Sequence, residues 1–207
     1  ELLEVGIFQL MRNLGGGLIG LALTYHLYAN LGYELWQICA FYLQWQVMFV
    51  ILNPLMGPVI QRVGLKHSMA AFTIGAAVFW LAAPHILTGN FTKDLLHILP
   101  FMFIRTIGFV MYEISYDIFL AHHINRKKQG QTLAILRILI LLASFLAPLV
   151  GAIITAWFGL EYTSYFAVSI LLLGGLTLFF TPDEKVSFPY KPQKLIGDIF
   201  HHTPKAL

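Results

Sequence analysis

Six long apolar stretches, separated by short polar connections, dominate this chain of 207 residues. A helix needs about 20 mostly apolar residues to cross the hydrocarbon core of a bilayer, and each stretch has about that length. Apolar and polar residues do not alternate along the stretches, so they indicate helices rather than barrel strands. The predicted spans are residues 5–29, 35–60, 68–87, 95–120, 132–157 and 162–181. The chain is therefore predicted to be an all-α integral membrane protein.

The composition excludes several other classes of protein. Charged residues make up 11% of the chain, whereas a soluble domain carries about a quarter. The single cysteine, Cys39, rules out a disulfide scaffold or a Cys-x-x-C site. The formal charge of +3 is small, so no nucleic-acid partner is expected. The histidine pairs 122–123 and 201–202 lack a third ligand, and no nucleotide or nucleophile motif is present; neither a metal, a cofactor nor an enzymatic activity is expected.

Lysine and arginine are concentrated on one side of the predicted spans. One side carries only Lys93, and the other carries nine such residues. These nine are Arg62, Lys66, Arg126, Lys127, Lys128, Lys185, Lys191, Lys194 and Lys205. Cytoplasmic connections carry the excess of positive charge, so both termini are predicted to be cytoplasmic, in a plasma (inner) membrane. Residues 182–207 form a polar cytoplasmic tail, and residues 1–181 form the bundle.

Three short motifs recur at a nearly constant offset of 93 to 95 residues. The pairs are Arg12-Asn-Leu-Gly15 with Arg105-Thr-Ile-Gly108, Pro54-Leu-Met-Gly57 with Pro148-Leu-Val-Gly151, and Gly64-Leu65 with Gly159-Leu160. The offset predicts two three-helix repeats, about 5–87 and 95–181. Because three is odd, the second repeat must be inverted, as in secondary transporters. Alternatively, the small residues recur because they help helices to pack.

The connection after the second span carries a family resemblance. It reads Gly57-Pro-Val-Ile-Gln61-Arg62-Val-Gly64-Leu-Lys66-His67, which resembles the signature loop of the major facilitator superfamily, Gly-x-x-x-Asp-Arg-x-Gly-x-Arg/Lys-Arg/Lys. Three later segments resemble family motifs in the expected order: Arg105-Thr-Ile-Gly108, the loop ending at Gln129-Gly130, and Ala147-Pro-Leu-Val-Gly151. The resemblance implies one six-helix half of a twelve-span transporter, whose second half lies in the same polypeptide or a homodimer. It also implies an alternative for residues 182–207, which are then either a cytoplasmic tail or the linker between the two halves. Gln61 replaces the family's acid, which implies a weaker or different cytoplasmic gate.

Five ionisable residues lie within the predicted spans: Arg12, Arg105, Glu113, Asp117 and Arg137. A charge at the bilayer centre costs about 2.5–3.5 kcal/mol, so such residues normally face partners or a water-filled cavity. Glu113 and Asp117 share one helix face, and Arg137 is predicted at a similar depth. The three form either a proton-coupling site centred on Glu113 or a latch of the cytoplasmic gate. The family resemblance implies that Asp117 pairs with Arg62 or Lys66.

Polar residues at mid-depth suggest a solute cavity. Arg105 and Arg12 occupy equivalent places in the two repeats, and a guanidinium facing a cavity would bind an anionic or polyhydroxylated solute. Alternatively, Arg105 holds the spans together and Arg12 reaches the cytoplasmic surface. Gln44 and Trp45 of the second span either line this cavity or pack between helices.

These features together predict secondary active transport of a small solute by alternating access, with a proton as the coupling ion if the transport is ion-coupled. The bilayer, the solute and a second six-helix half are the expected partners. The alternative is a membrane receptor, scaffold or accessory subunit that keeps the half-fold without transporting, and Gln61 favours it slightly.

Overall fold

The protein is an all-helical bundle in its computed structural model, which describes residues 2–123 and 129–180. Its elements are α1 (Leu2–Tyr25), a π-helical turn (His26–Asn30), α2 (Leu35–Val63), α3 (Leu65–Ile86), α4 (Phe91–His123), α5 (Gln129–Phe158) and α6 (Leu160–Thr177). Each predicted span coincides with one helix, and their ends differ by about four residues at most. The predicted tail, residues 182–207, lies outside the described residues, as do the loop cations Arg126, Lys127 and Lys128.

Five of the helices described, α2 to α6, are long and apolar enough to cross a membrane. The remaining helix, α1, has 24 residues, and its first half contains four polar side chains. Glu4, Gln9, Arg12 and Asn13 lie there, and they lower its mean hydropathy. The described helices therefore constitute a multi-pass membrane protein, in which one predicted span, α1, carries several polar side chains.

Single glycines separate α2 from α3 and α5 from α6. Gly64 has φ 98° and ψ 161°, and Gly159 has φ 89° and ψ 171°; residues with a Cβ rarely adopt this conformation. The Gly64 N–H donates to Ile60 O at 2.9 Å, and its carbonyl accepts from Ser68 N at 3.1 Å. One glycine thus ends one helix and begins the next, so the chain turns back without a longer loop.

A buried carboxylate holds two connections together at the end of the bundle opposite Gly64. Asp94 in the first turn of α4 is 0% exposed. Its oxygens accept hydrogen bonds from Tyr33 Oη at 2.5 Å, Thr88 N at 2.8 Å, Thr88 Oγ1 at 2.8 Å and Gly89 N at 2.9 Å. Burial raises the pKa of the Tyr33 hydroxyl, and the hydrogen bond to Asp94 raises it further, so Tyr33 remains a donor at neutral pH.

Replacing Asp94 with alanine should destabilise the protein. The change leaves buried donors without an acceptor, and each such group costs about 1–3 kcal/mol. The check is thermal unfolding of the purified protein in detergent, with Lys93→Ala as the matched control, because Lys93 is exposed in the same helical turn. An Asp94→Ala protein that unfolds at the wild-type temperature would show that the carboxylate does not stabilise the fold.

The helices pack as two interlocked sets. α1 lies against α5 and α6, α4 lies against α2 and α3, and α3 also contacts α6. Backbones approach most closely at glycines: a Cβ at Gly108 in α4 would lie 2.7 Å from the Ala71 carbonyl of α3, and one at Gly151 in α5 would overlap the Leu18 carbonyl of α1. In a membrane, small residues allow this approach and van der Waals packing holds the helices together.

Candidate functional site

Arg12 lies inside the bundle, between α1 and α4. Its guanidinium carbon is 4.1 Å from the centre of the Tyr112 ring and 5.6 Å from that of Phe72, distances typical of cation–π contact. Arg12 Nη1 also lies 3.6 Å from Glu113 Oε1. This distance is longer than a hydrogen bond, so the two groups form an ion pair that a small movement of α1 against α4 could close or open. The side chain therefore does not extend to the surface, which was one of the two expectations for it.

The Tyr112 ring packs against the guanidinium of this ion pair. The ring is fully buried, and its hydroxyl donates a hydrogen bond to Gln9 Oε1. Gln9 lies one turn before Arg12 on α1, so α1 contacts both the hydroxyl and the face of the same tyrosine. Gln9 and Tyr112 are not among the site residues predicted from the sequence. The available signal was their spacing, because Gln9 is three residues from Arg12 and Tyr112 adjoins Glu113.

Arg105 lies on α4, about two turns before Glu113, and aromatic rings contact its side chain. Its guanidinium carbon is 4.6 Å from the Trp45 ring centre and 4.9 Å from that of Phe79. Trp45 in turn packs edge-on against Phe109, with ring centres 5.4 Å apart. The Arg105 Nε is buried and has no hydrogen-bond partner among the described residues. The Trp45 and Phe79 rings contact the arginine without neutralising its charge.

A cavity of about 210 Å³ brings the two arginines together. Its lining side chains come from α1, α3, α4 and α5: Arg12, Asn13, Phe72, Trp80, Arg105, Phe109 and Ser144. A smaller space of about 50 Å³ continues from it, sharing Gly16, Trp80 and Arg105 and reaching Trp45. The expectation that Arg12 and Arg105 face a common interior is consistent with this arrangement, and the cavity combines positive charge with aromatic walls.

The predicted cluster of Glu113, Asp117 and Arg137 is not joined by ion pairs among the described residues. Glu113 pairs with Arg12 of α1, whereas Asp117 and Arg137 are exposed and no ion pair joins them within residues 2–123 and 129–180. The physical reason is the helix arrangement: α4 packs mainly on α2 and α3, while α5 packs on α1. Position along the sequence does not say which helix faces Arg137.

The expected pairing of Asp117 with the signature loop is also absent from the part of the chain that the structure describes. Lys66 is 2% exposed and its Nζ lies 3.3 Å from Glu4 Oε2 of α1. Thr177 of α6 donates to the Glu4 carbonyl at 3.3 Å. Lys66 of the signature loop therefore pairs with the start of α1 rather than with the end of α4. The reason is that the first turn of α3, where Lys66 lies, is close to the first turn of α1 and the end of α6.

The other predicted residues fall into two groups. Trp45 contacts Arg105, as described above, whereas Gln44 Nε2 donates to the Leu95 carbonyl of α4 at 3.4 Å and so joins two helices. In the signature loop, Gly57 is buried against the bundle, Gln61 is half-buried and Arg62 is exposed. Gly64 supplies the positive φ that ends α2.

Comparison with known proteins gives one match. Neither the curated proteins nor the solved structures include a match to this chain. Residues 5–204 match the family model described as Major Facilitator Superfamily. That match covers nearly the whole chain, including all six helices and the signature loop. This multi-pass membrane protein therefore belongs to the major facilitator superfamily, a family of membrane transporters.

Proposed function

We propose that the protein carries out secondary active transport of a small solute by alternating access, and that the cavity between Arg12 and Arg105 is part of its solute site. The observation that supports this most is the placement of both arginines on one cavity of about 210 Å³ inside an otherwise apolar bundle. Charged groups within a membrane protein are costly, so they normally mark a solute or ion pathway.

The proposed mechanism uses two inverted repeats, α1–α3 and α4–α6. The packing supports this division, because exchanging the first, second and third helices of one repeat for those of the other converts the α1 contacts with α5 and α6 into the α4 contacts with α2 and α3. Gly64 and Gly159 adopt the same positive-φ conformation at matching places. Repeats of this kind, related by a two-fold axis in the membrane plane, are the architecture of secondary transporters.

We assign proton coupling to the Arg12–Glu113 pair. The Glu113 side chain is 38% exposed, so protons can reach it, while the Arg12 side chain is 15% exposed and held by the Tyr112 ring. Protonation of Glu113 would remove the charge that attracts Arg12. A change that favours one separation of α1 and α4 over another biases the equilibrium between access states. The exposed Asp117 and Arg137 have no part in this proposal.

Alternating access needs a second bundle against which this one can rock. We propose that a second six-helix half, in the same polypeptide or in a homodimer, completes the cavity. Both termini are placed in the cytoplasm, in a plasma (inner) membrane, because the lysine and arginine residues concentrate in the connections on that side.

The intact mass and oligomeric state of the native protein, extracted gently from its membrane, test this arrangement. A single polypeptide of about twice 23.4 kDa or a dimer of chains of this size is the expected result. In the dimer, Arg12, Arg105 and Glu113 each occur twice around one cavity. A stable monomer of this size would leave no second bundle and would contradict the proposal.

Transport itself is tested with the native protein in liposomes. Solutes that raise its unfolding temperature are first identified, and each is then tested for counterflow, which requires both faces of the membrane to be reached in turn. Exchange of a stabilising solute is the expected result. A solute that stabilises the protein and is never exchanged would instead favour a receptor, the alternative to which the Gln61 substitution points.

A further inference from the structure

The two arginines of the cavity differ in their electrostatic partners. Arg12 has Glu113 at 3.6 Å. Arg105 has no Asp or Glu in an ion pair with it anywhere in residues 2–123 and 129–180. When Glu113 is counted as the partner of Arg12, one positive charge, that of Arg105, remains without a negative partner within those residues.

The cavity offers a solute strong hydrogen-bond donors but few acceptors. Among its described lining residues there is no carboxylate, and the side-chain oxygens that can accept a hydrogen bond are those of Asn13 and Ser144, both uncharged. A polyhydroxylated solute needs acceptors for its own hydroxyl protons, which this lining supplies poorly. An anionic group needs donors only, and an arginine supplies them as a planar fork.

Aromatic rings hold the Arg105 guanidinium in place. Trp45 and Phe79 both lie within 5 Å of its carbon, and its Nε is buried without a partner in the described structure. A cation held by ring faces keeps its N–H groups free in the guanidinium plane. Burying a charge without a counter-charge is costly, so the site is suited to an anion that supplies the missing partner.

We infer that the solute is a small organic anion whose carboxylate or phosphate group binds Arg105, with its remaining atoms between Phe72, Trp80 and Phe109. This inference rests on the proposed transport function and specifies its solute class. The spaces of about 210 and 50 Å³ suit a solute of a few to a dozen heavy atoms on this half of the cavity.

The test uses pairs of compounds that match in shape and differ in charge. The probes are lactate with lactamide, benzoate with benzamide, and glycerol phosphate with glycerol. Each is titrated against the native protein at constant ionic strength, and the dissociation constant is taken from the rise in unfolding temperature. We expect at least one anion to bind and its neutral partner to bind far more weakly.

The Arg105→Gln variant should weaken binding of that anion about 10- to 100-fold, the effect of losing hydrogen bonds to a charged group. Lys93→Gln, which removes the same charge from an exposed position of α4, should bind it like the wild type. If Arg105→Gln does not fold, Arg105→Lys is used; it keeps the charge and loses the planar fork, and we expect weakening of the anion here too.

Three results would overturn the inference: no anion binding to the wild type, equal binding of the neutral partners, or unchanged anion binding in the folded Arg105 variant. Failure of the transport proposal looks different. An anion that binds through Arg105 and is not exchanged in liposomes would remove the transport function and keep the anion site. A neutral solute that is exchanged would keep transport and remove the anion site.

Discussion

Replacing Glu113 with glutamine should abolish proton-driven accumulation of the solute while leaving solute counterflow intact. Glutamine has nearly the same size and still accepts hydrogen bonds, but it can neither release a proton nor form the ion pair with Arg12, now at 3.6 Å. Arg12 would keep its contact with the Tyr112 ring at 4.1 Å, so the cavity itself should persist. Counterflow needs only alternation between the two faces, whereas accumulation needs the proton to be bound and released.

The measurement compares uptake driven by an imposed pH gradient with counterflow in the same liposomes. Glu161→Gln is the matched control, because Glu161 is an exposed carboxylate on α6, near His85 and far along the chain from the cavity residues. It should behave like the wild type in both assays. Retained proton-driven accumulation by Glu113→Gln would remove Glu113 from the coupling mechanism, and loss of both activities would instead indicate that the pair is needed for the fold or for alternation.

Replacing Gly151 with alanine should destabilise the bundle strongly. A Cβ at this position would overlap the Leu18 carbonyl, and that atom belongs to the backbone of α1, which cannot move without shifting the whole helix. Overpacking of this kind costs about 1–3 kcal/mol, and more where the backbone must shift. Because α1 also carries Arg12, we expect solute binding to weaken together with stability.

The control for this substitution is Gly20→Ala on α1. A Cβ at Gly20 meets nothing within 4 Å, so alanine there should leave the unfolding temperature unchanged or raise it slightly through its higher helix propensity. Thermal unfolding in detergent and the yield of monodisperse protein are the two measurements. If Gly151→Ala is as stable as Gly20→Ala, the contact between α5 and α1 is looser than described here.

The number, type and positions of the helices could be predicted from the sequence. A segment of about twenty apolar residues crosses a bilayer as an α-helix, because backbone groups that are not paired within the segment would be left without partners in lipid. Glycine at 64 and 159 also marked the helix ends, since a positive φ is accessible to glycine at little cost. The four polar residues in the first half of α1 are also evident from the sequence.

The ion pairs could not be predicted in the same way. Glu113 and Asp117 are four residues apart, so the sequence alone shows that they lie on one helix and share one of its faces. Which neighbouring helix faces them depends on helix rotation and packing. The close contact of Gly151 with α1 and of Gly108 with α3 sets that packing, and it brought Glu113 to Arg12 and Lys66 to Glu4.

By itself, the sequence determined that this chain is a multi-pass helical membrane protein with charged residues inside its spans. The reason is that a membrane span is recognised from the hydropathy and length of one run of consecutive residues. Only the tertiary structure decided which of those charges meet. Arg12 pairs with Glu113 of α4 and contacts the Tyr112 ring, whereas Arg105 contacts two aromatic rings and pairs with no acid within the described residues. That difference arises from how four helices approach one another, and periodicity within a single helix carries no information about it.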